Sequence, residues 1–411
     1  MLPQKRILPP WLLAAVAIFA VAWGGNQFTP LLVMYKDLDG LSTGAVDVLL
    51  GAYVLGIVPA LLIGGPLSDR FGRRPLMLPA PALALIASIF LILGAGNPAI
   101  LFVGRVLSGI GLGLGMVVGG SWVKELSVAP YDTRADDAAG ARRASMSLTA
   151  GFGLGAAVAA GLAQFAPFQA TLPYLVHIVV ALLGFLAAAA TPETHARQVA
   201  PSRLVDDLRI PAAKHRRFLW VVVPMAPWVF GCAASAYAIL PGLMSSRTEG
   251  FGIGFSGFLC LVGLGCGLVL QQVGKRIDNA DSARGVVVSL GVAVPAMACA
   301  AWAAYTVNPW IATLAAALLG SAYGLLLVSG LQEVQRIAGP HDLAGLTAVY
   351  YSLTYLGFFI PAALAVLHSW LTYPWMFIGG CVVAALCLSV VVSFYRKHLP
   401  QQAQESGLVE A

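Results

Sequence analysis

Long apolar runs alternate with short polar segments along most of the sequence. A helix needs about 20 mostly apolar residues to cross a bilayer, and windows of that length predict twelve spanning helices. The first six are predicted at 11–33, 43–64, 76–94, 99–121, 145–163 and 173–191, and the second six at 218–243, 253–272, 286–306, 310–331, 345–367 and 372–393. The pattern therefore predicts an all-α membrane protein built from two groups of six helices.

A polar stretch after the sixth span separates the two groups. We predict an N-terminal six-helix bundle at 1–191, a linker at 192–217, a C-terminal six-helix bundle at 218–394 and a tail at 395–411. The segment 267–276 can be aligned with 65–74, 202 residues earlier, with Gln271 and Gln272 in place of an Asp-Arg pair. The two bundles are therefore predicted to be pseudo-symmetric repeats.

Composition supports a membrane protein and argues against several other classes. Of 411 residues, 59% are hydrophobic and 10% are charged, whereas soluble domains carry about 25% charged residues. The net charge of +6 comes from short basic loops, so a lipid bilayer and not nucleic acid is the expected partner. The six cysteines lie inside apolar runs without metal or disulfide spacing. No metal cluster, nucleophile-and-base pair or phosphate-binding loop indicates an enzyme.

The distribution of lysine and arginine predicts the orientation. If both termini are cytoplasmic, 21 of the 24 basic residues fall in cytoplasmic segments, as the positive-inside rule requires. The exceptions are Lys36 and Arg247 in outer loops and Arg105 inside the fourth span. No small-residue cleavage site follows the first apolar run, so we expect that run to be a retained helix.

A charged turn joins the second and third predicted spans. Its sequence is GPLSDRFGRRPLM at 65–77, in which Gly72 permits a tight turn and Pro75 suits the first turn of a helix. A generic positive-inside loop would explain the arginines but not Asp69. The pattern resembles the signature between helices two and three of major facilitator superfamily transporters, which implies two six-helix halves that rock about a central site.

The resemblance also implies a role for this turn in gating. It assigns a cytoplasmic latch that favours the outward-open state to Asp69, Arg70 and Arg73, and a conformational role to Gly65 and Gly72. The Asp69 carboxylate could meet the positive N-terminal end of helix eleven near Gly345 in one state only. The alternative is that Asp69 pairs with neighbouring arginines.

Arg105 lies inside an apolar span, where an arginine is costly unless it faces polar groups or a wet cavity. The string RVLSGIGLG at 105–113 resembles the helix-four motif of the same superfamily, in which the arginine is tied to proton coupling. The alternative is that the side chain extends to the outer headgroups.

Two further positions bear on coupling. Drug antiporters of this superfamily often carry an aspartate four residues before the helix-one proline, but Asn26 precedes Pro30 here and cannot carry a proton. Asp47 is the other acid well inside a span, and it is either a proton site or a carboxylate that stabilises a helix start after Ser42. Arg105, Asp47 and Asn26 are the predicted coupling residues.

The fifth span carries GFGLGA at 151–156. It resembles the glycine-rich motif of drug/proton antiporters, but Ala156 stands where that motif has proline. Close helix packing through small residues is the alternative explanation for these glycines.

Polar and aromatic side chains within the spans suggest a mostly apolar cavity that suits an amphipathic organic compound. The predicted substrate-binding residues are Trp23, Asn26, Gln27, Tyr53, Trp228, Tyr237, Tyr323, Tyr351 and Tyr355. Each tyrosine could instead pack against helices, and adjacent Tyr350 and Tyr351 cannot share one helix face. His177 is predicted to be a core residue, and Glu125 and Glu333 are predicted to be solvated.

Together these features predict a transporter, closest in motifs to bacterial twelve-helix drug/proton antiporters. We expect a monomer in the bacterial inner membrane that exports a small amphipathic compound by alternating access, driven by a proton gradient without a bound cofactor. An uptake symporter, a facilitator and a membrane sensor on a transporter scaffold remain alternatives.

Overall fold

The computed structural model describes residues 8–38, 40–136, 139–195, 210–339 and 342–399. Within these ranges twelve helices are long and apolar enough to cross a membrane and no residue is in a β-strand, which confirms the predicted all-α fold. The helices are α1 (Pro10–Lys36), α2 (Thr43–Phe71), α3 (Arg73–Leu93), α4 (Pro98–Glu125), α5 (Ala139–Phe165), α6 (Leu172–Ala190), α7 (Phe218–Leu243), α8 (Gly252–Ile277), α9 (Arg284–Thr306), α10 (Pro309–Ile337), α11 (Leu343–Leu367) and α12 (Tyr373–Ser393).

The predicted linker and tail are only partly visible in the structure. Residues 196–209 of the linker and 400–411 of the tail lie outside the described residues. The boundaries of these two segments therefore stay predictions.

The helices pack in two groups with matching neighbours. In the first group α2 packs on α4, α3 on α4 and α6, and α1 on α4, α5 and α6. In the second group α8 packs on α10, α9 on α10 and α12, and α7 on α10, α11 and α12. Between the groups, α5 packs on α8 and α2 on α11. If each helix is replaced by its counterpart in the other group, the α5–α8 pair becomes the α11–α2 pair. Pseudo-symmetric repeats require this correspondence.

The α2–α4 pair approaches closely through glycine, and so does its counterpart α8–α10. Methyl groups added at Gly56 and Gly109 would lie 2.1 Å from a carbonyl oxygen of the opposing helix. Methyl groups at Gly320 and Gly324 would lie within 2.1 Å of carbonyl oxygens on α8. Small residues at these crossings let helix backbones meet where lipid supplies no hydrophobic driving force.

Helix starts repeat between the groups as well. The Asn97 side-chain oxygen accepts the backbone N–H of Ala99 at 3.1 Å, and the Asn308 oxygen accepts that of Trp310 at 2.9 Å. Proline follows each asparagine, where its missing N–H costs no helical hydrogen bond. The Asn-Pro pair therefore sets the first turn of both α4 and α10.

Four of the described helices depart from regular α geometry. The irregular turns are Thr29–Leu31 in α1, Gly115–Gly119 in α4, Ser235–Ile239 in α7 and Leu356–Phe359 in α11, and a further one, Phe218–Val222, lies at the start of α7. Pro30 lies within the first, and Pro241 and Pro361 lie two residues beyond the third and fourth. Proline cannot donate the helical hydrogen bond, and broken helices at membrane depth are tolerated where they line a cavity.

The two faces of the molecule can be named by their residues. Odd-numbered helices begin and even-numbered helices end at the face that carries Asp69, here called the Asp69 end; the opposite face is the Lys36 end. At the Lys36 end the Gln164 side chain donates to the Gly250 carbonyl at 2.9 Å and accepts the Gly254 N–H at 2.8 Å. These bonds join α5 of the first group to the start of α8 in the second.

Candidate functional site

A cavity lies between the two groups of helices, and the space within its wall is about 390 Å³ when the part open to solvent is included. Eight helices contribute to its wall, and the irregular turns of α1, α7 and α11 supply Thr29, Tyr237 and Phe358. Its wall consists of Gly25, Asn26, Thr29, Leu50, Tyr53, Arg105, Phe152, Phe230, Tyr237, Leu264, Tyr323, Tyr355 and Phe358. The structure thus brings together Asn26, Tyr53, Arg105, Tyr237, Tyr323 and Tyr355 from the residues predicted by sequence.

Stacked aromatic rings form one side of the cavity. Phe230 stacks on Tyr355 with ring centroids 4.4 Å apart and on Phe358 at 4.8 Å. Tyr53 meets the edge of Tyr355 at 6.2 Å. The Tyr355 hydroxyl also donates to the Met116 sulfur at 3.4 Å. These contacts join α2 and α4 of the first group to α7 and α11 of the second.

Asn26 connects three helices beside the cavity. Its side-chain nitrogen donates to the Phe152 carbonyl on α5 at 3.1 Å and to the Cys260 sulfur on α8 at 3.7 Å. Its side-chain oxygen accepts the Thr29 hydroxyl at 3.0 Å. A neutral amide in this position bridges the two groups without a titratable proton.

Arg105 is buried, with 1% of its surface exposed. Its guanidinium carbon lies 4.3 Å from the centroid of the Phe28 ring and 4.5 Å from that of Tyr53. Its Nε donates to the Leu49 carbonyl at 3.2 Å. The side chain therefore stays inside the bundle and does not extend to the headgroups, which was the alternative interpretation.

Asp47 is buried in α2 but is not among the residues that line the cavity. The hydroxyl of Ser42, and not the Asp47 carboxylate, caps this helix by accepting the Ala45 N–H at 3.2 Å. The helix starts after Ser42 as expected, and the alternative that the Asp47 carboxylate stabilises this start is compatible with the cap. Its coupling role stays a prediction.

Four predicted substrate-binding residues do not lie on the cavity wall. They are Trp23, Gln27, Trp228 and Tyr351. Gln27 follows Asn26 by one position and so points about 100° away around the helix. Trp228 lies two positions before Phe230 and points to the opposite side of α7. The sequence placed these residues in the spans but could not fix the direction in which each side chain points.

Gln27 takes part in a buried polar chain inside the first group. Its nitrogen donates to the Ser88 hydroxyl at 3.3 Å, and that hydroxyl lies 2.6 Å from His177 Nδ1. His177 Nε2 donates to the Ala20 carbonyl at 3.0 Å. This chain ties α1 to α3 and α6, and His177 has no exposed surface, as predicted for a core residue.

Trp23 and Tyr351 are held by packing. The Trp23 ring meets the edge of Phe19 at 5.7 Å. The half-buried Tyr351 ring lies 5.8 Å from that of Tyr350, whose hydroxyl bonds carbonyls of α10 at 3.1 and 3.2 Å. Tyr350 is buried against α10 and Tyr351 is half-buried, as expected if two adjacent tyrosines do not share one helix face.

Sequence reasoning missed the phenylalanines of the cavity. Phe152, Phe230 and Phe358 line it, yet phenylalanine is ordinary in any apolar span. The available signal was the clustering of prolines with polar residues, which marks the irregular turns next to Phe230 and Phe358.

Arg73 is the centre of a charged cluster at the Asp69 end. Its guanidinium donates to the Asp69 carboxylate at 2.5 Å, to the Ser68 hydroxyl at 2.6 Å and to the Glu125 carboxylate at 2.7 and 3.0 Å. The Asp69 side chain is 56% exposed. Pairing between Asp69 and a neighbouring arginine, the alternative to a contact with helix eleven, is the arrangement found here.

Glu193 caps the start of α3. Its carboxylate accepts the backbone N–H groups of Arg73 at 2.9 Å and Arg74 at 2.8 Å, and also those of Thr194 and His195. Burial alone would raise the pKa of Glu193, but these four N–H donors outweigh it and lower the pKa below its ordinary value. Four convergent donors and a helix N-terminus favour the ionised form.

Gly72 makes this cap possible. Its φ of +101° lies in a region that side chains rarely adopt, and an added methyl would lie 2.7 Å from the Glu193 carboxylate. The tight turn predicted at Gly72 is therefore confirmed, with the close approach of Glu193 as a second reason for glycine. Gly65 faces Val117 of α4, where an added methyl would lie 3.3 Å away, and Arg70 is partly exposed.

A second charged cluster occupies the same end of the other group. Arg217 donates to both oxygens of Glu333 at 2.5 and 2.8 Å, and Arg336 bonds Glu333 at 3.0 Å and Asp278. The Arg217 and Glu333 side chains are 0% and 1% exposed. The prediction that Glu333 is solvated is wrong, because its carboxylate is buried and binds Arg217. Glu125 binds the buried Arg73 but keeps 31% of its side chain exposed.

The glycines of α5 have a packing role. Methyl groups at Gly151 and Gly155 would lie 2.5 and 2.6 Å from carbonyl oxygens of α1, whereas one at Gly153 would meet nothing within 4 Å. Close packing, the alternative to an antiporter motif, therefore accounts for two of the three glycines.

Comparison with known families gives a match over most of the chain. The model of the Major Facilitator Superfamily matches residues 11–362. The multidrug resistance protein MdtL of Escherichia coli is 38% identical over 82 residues, and that of Shigella flexneri is 37% identical over 82. Each alignment covers 20% of this chain and 20% of the relative, so the match spans about a fifth of these relatives' length.

Solved transporter structures share the fold. A peptide transporter POT in complex with sulfate has a TM-score of 0.76 at 16% identity, with 97% of each chain covered. A D-xylose-proton symporter has a TM-score of 0.69 at 15% identity, with 95% of this chain and 97% of that one covered. At these identities the likeness concerns the fold alone.

Proposed function

Because the chain belongs to the Major Facilitator Superfamily, we propose that it exports a small amphipathic organic compound by alternating access, in exchange for protons. The observation that carries the proposal is the aromatic cavity of about 390 Å³ between the two groups of six helices. A site at such an interface can open to either side when the groups rock against each other.

The two ends of the molecule suggest which state is described. The bonds of Gln164 join the groups at the Lys36 end, while at the Asp69 end Arg73 and Arg217 are bound within their own groups. We propose that this state faces the Asp69 end, which is cytoplasmic in a bacterial inner membrane if basic residues lie inside.

The latch hypothesis agrees with this assignment. A latch between Asp69 and α11 would form only in the opposite state, so its carboxylate is free to pair with Arg73 here. Asp69→Asn should then raise the reactivity of a cysteine probe at the exposed Lys275 of the Asp69 end. An unchanged reactivity would leave Asp69 with a role in loop pairing alone.

Export is favoured by the partial match to MdtL proteins. Uptake symport or facilitated diffusion remains the second candidate because Asn26 is engaged in three hydrogen bonds and cannot carry a proton. Whether Arg105 and Asp47 couple export to proton movement distinguishes proton exchange from these alternatives.

Transport in proteoliposomes under imposed pH gradients tests the proposal. For a panel of lipophilic compounds, export with proton exchange predicts flux that follows the gradient in the wild-type protein and is uncoupled in Asp47→Asn. Asp281→Asn makes the same charge change in an exposed loop and should leave coupling intact. If the flux is independent of the pH gradient in both the wild-type protein and Asp47→Asn, proton exchange is excluded.

A further inference from the structure

Arg105 is a buried cation on the cavity wall, and it has no carboxylate partner within the part of the chain that the structure describes. Its Nε donates to a backbone carbonyl, and its guanidinium carbon lies over the rings of Phe28 and Tyr53. Its Nη1 is buried and has no hydrogen-bond partner among the described residues. Ring faces can stabilise the charge, but they accept no directed hydrogen bond from this nitrogen in the guanidinium plane.

The described residues that line the cavity offer no negative charge. Among them, Arg105 is the one that carries a formal charge. Arg105 takes part in none of the ion pairs formed within the described residues, unlike Arg73 and Arg217. A desolvated cation without a counter-ion is costly, so the wall favours an occupant that brings a negative charge.

The remaining surface of the cavity suits a flat apolar body. Phe230, Tyr355 and Phe358 are stacked with centroids 4.4 to 5.9 Å apart, and Phe152 and Leu264 complete the apolar wall. Planar rings are favoured next to stacked aromatic side chains.

We propose that the cavity selects amphipathic organic anions. An aromatic body would pack against Phe230, Tyr355 and Phe358, and a single carboxylate or sulfonate would accept hydrogen bonds from Arg105. The inference rests on the proposed transport function and names its substrate class. It also gives Arg105 a specificity-determining role in addition to any part in coupling.

The test uses matched compounds that differ only in charge. Naphthalene, biphenyl and indole carboxylates, their neutral amides and the corresponding methylammonium compounds are titrated into the purified full-length protein by calorimetry. We expect at least one carboxylate to bind ten-fold or more tightly than its amide and its ammonium partner. Equal or tighter binding of the amide or ammonium in every series, or no binding of any carboxylate, would overturn the inference.

Variants then test whether Arg105 causes the preference for carboxylates. Arg105→Gln should bring the carboxylate and the amide to equal affinity, while Arg105→Lys should keep part of the difference. Arg247→Gln removes a cation from an exposed segment at the Lys36 end. This variant should keep the full difference in affinity between the carboxylate and the amide. A carboxylate preference that survives Arg105→Gln would also overturn the inference, and the wild-type series stands even if that variant does not fold.

Flux measurements separate the two proposals. If carboxylates bind as expected but no compound crosses proteoliposome membranes under any gradient, the transport proposal fails and the anion site stands. If amides or ammonium compounds are transported in preference to carboxylates, transport stands and the anion site fails.

Discussion

Buried charges differ in their pairing between the ends and the centre of the molecule. Arg217 has no exposed surface and binds Glu333 through two hydrogen bonds, whereas Arg105 has no carboxylate partner among the described residues. A paired buried charge has a structural role that any state of the protein can keep. An unpaired one is better explained by a bound ligand than by stability.

Removal of one partner from the Arg217–Glu333 pair should be strongly destabilising. Glu333→Gln leaves a buried arginine uncompensated, which costs about 3–5 kcal/mol. Thermal unfolding of the purified protein measures the loss. Arg142→Gln breaks an ion pair whose side chains are 54% and 63% exposed, and it should cost less than about 1 kcal/mol. Equal losses in the two variants would contradict the assigned burial.

Glu193 should contribute stability that depends on pH. Its folded pKa lies below its ordinary value, so folding favours the ionised form, and the contribution is complete above the unfolded pKa of about 4.3. It is lost as the pH falls through the folded pKa.

The variant Glu193→Gln isolates this effect. It should cost about 0.5–2 kcal/mol at pH 7, as the loss of a helix cap does, and less at pH 4, because protonation removes the same charge from the wild type. Unfolding temperatures of both proteins at the two pH values measure the difference. If the stability difference between the wild type and Glu193→Gln is larger at pH 4 than at pH 7, the capping role of Glu193 is contradicted.

At the scale of elements, the α2–α4 crossing depends on the absence of side chains. Gly109→Ala would put a methyl 2.1 Å from a carbonyl oxygen of α2, so we expect a loss of about 1–3 kcal/mol from overpacking. Gly153→Ala adds the same methyl where nothing lies within 4 Å, and it should be neutral or stabilising because alanine favours the helix. Thermal unfolding of the two variants checks the ranking, and the reverse order would contradict the crossing.

The sequence was sufficient to predict the elements because apolar length and charge position are local properties. The prediction for α2 ended at 64, but the helix continues to Phe71, since its last turns carry Ser68 and Asp69 and read as a polar loop. The Glu193 cap was not predicted, because it joins positions about 120 residues apart. Pairing between distant helix ends depends on packing that no local pattern contains.

At the scale of the whole molecule, the sequence identified part of the cavity. Asn26, Tyr53 and Arg105 were predictable because a polar group inside an apolar span needs a partner or a wet surface. Phe230 was not, because a phenylalanine on the cavity wall and one facing lipid look the same in the sequence. The direction of each side chain became known only from the packing of the two groups.

Alternating access between the two groups is tested most directly by one measurement, a pair of distances obtained by double electron–electron resonance in lipid nanodiscs. The protein would carry labels at Ala95 and Ser246 across the Lys36 end or at Ala141 and Lys275 across the Asp69 end, all of them exposed positions, with the six native cysteines replaced. We expect changes of pH or ligand to lengthen one distance while shortening the other. Two distances that stay fixed, or that lengthen together, would contradict the account.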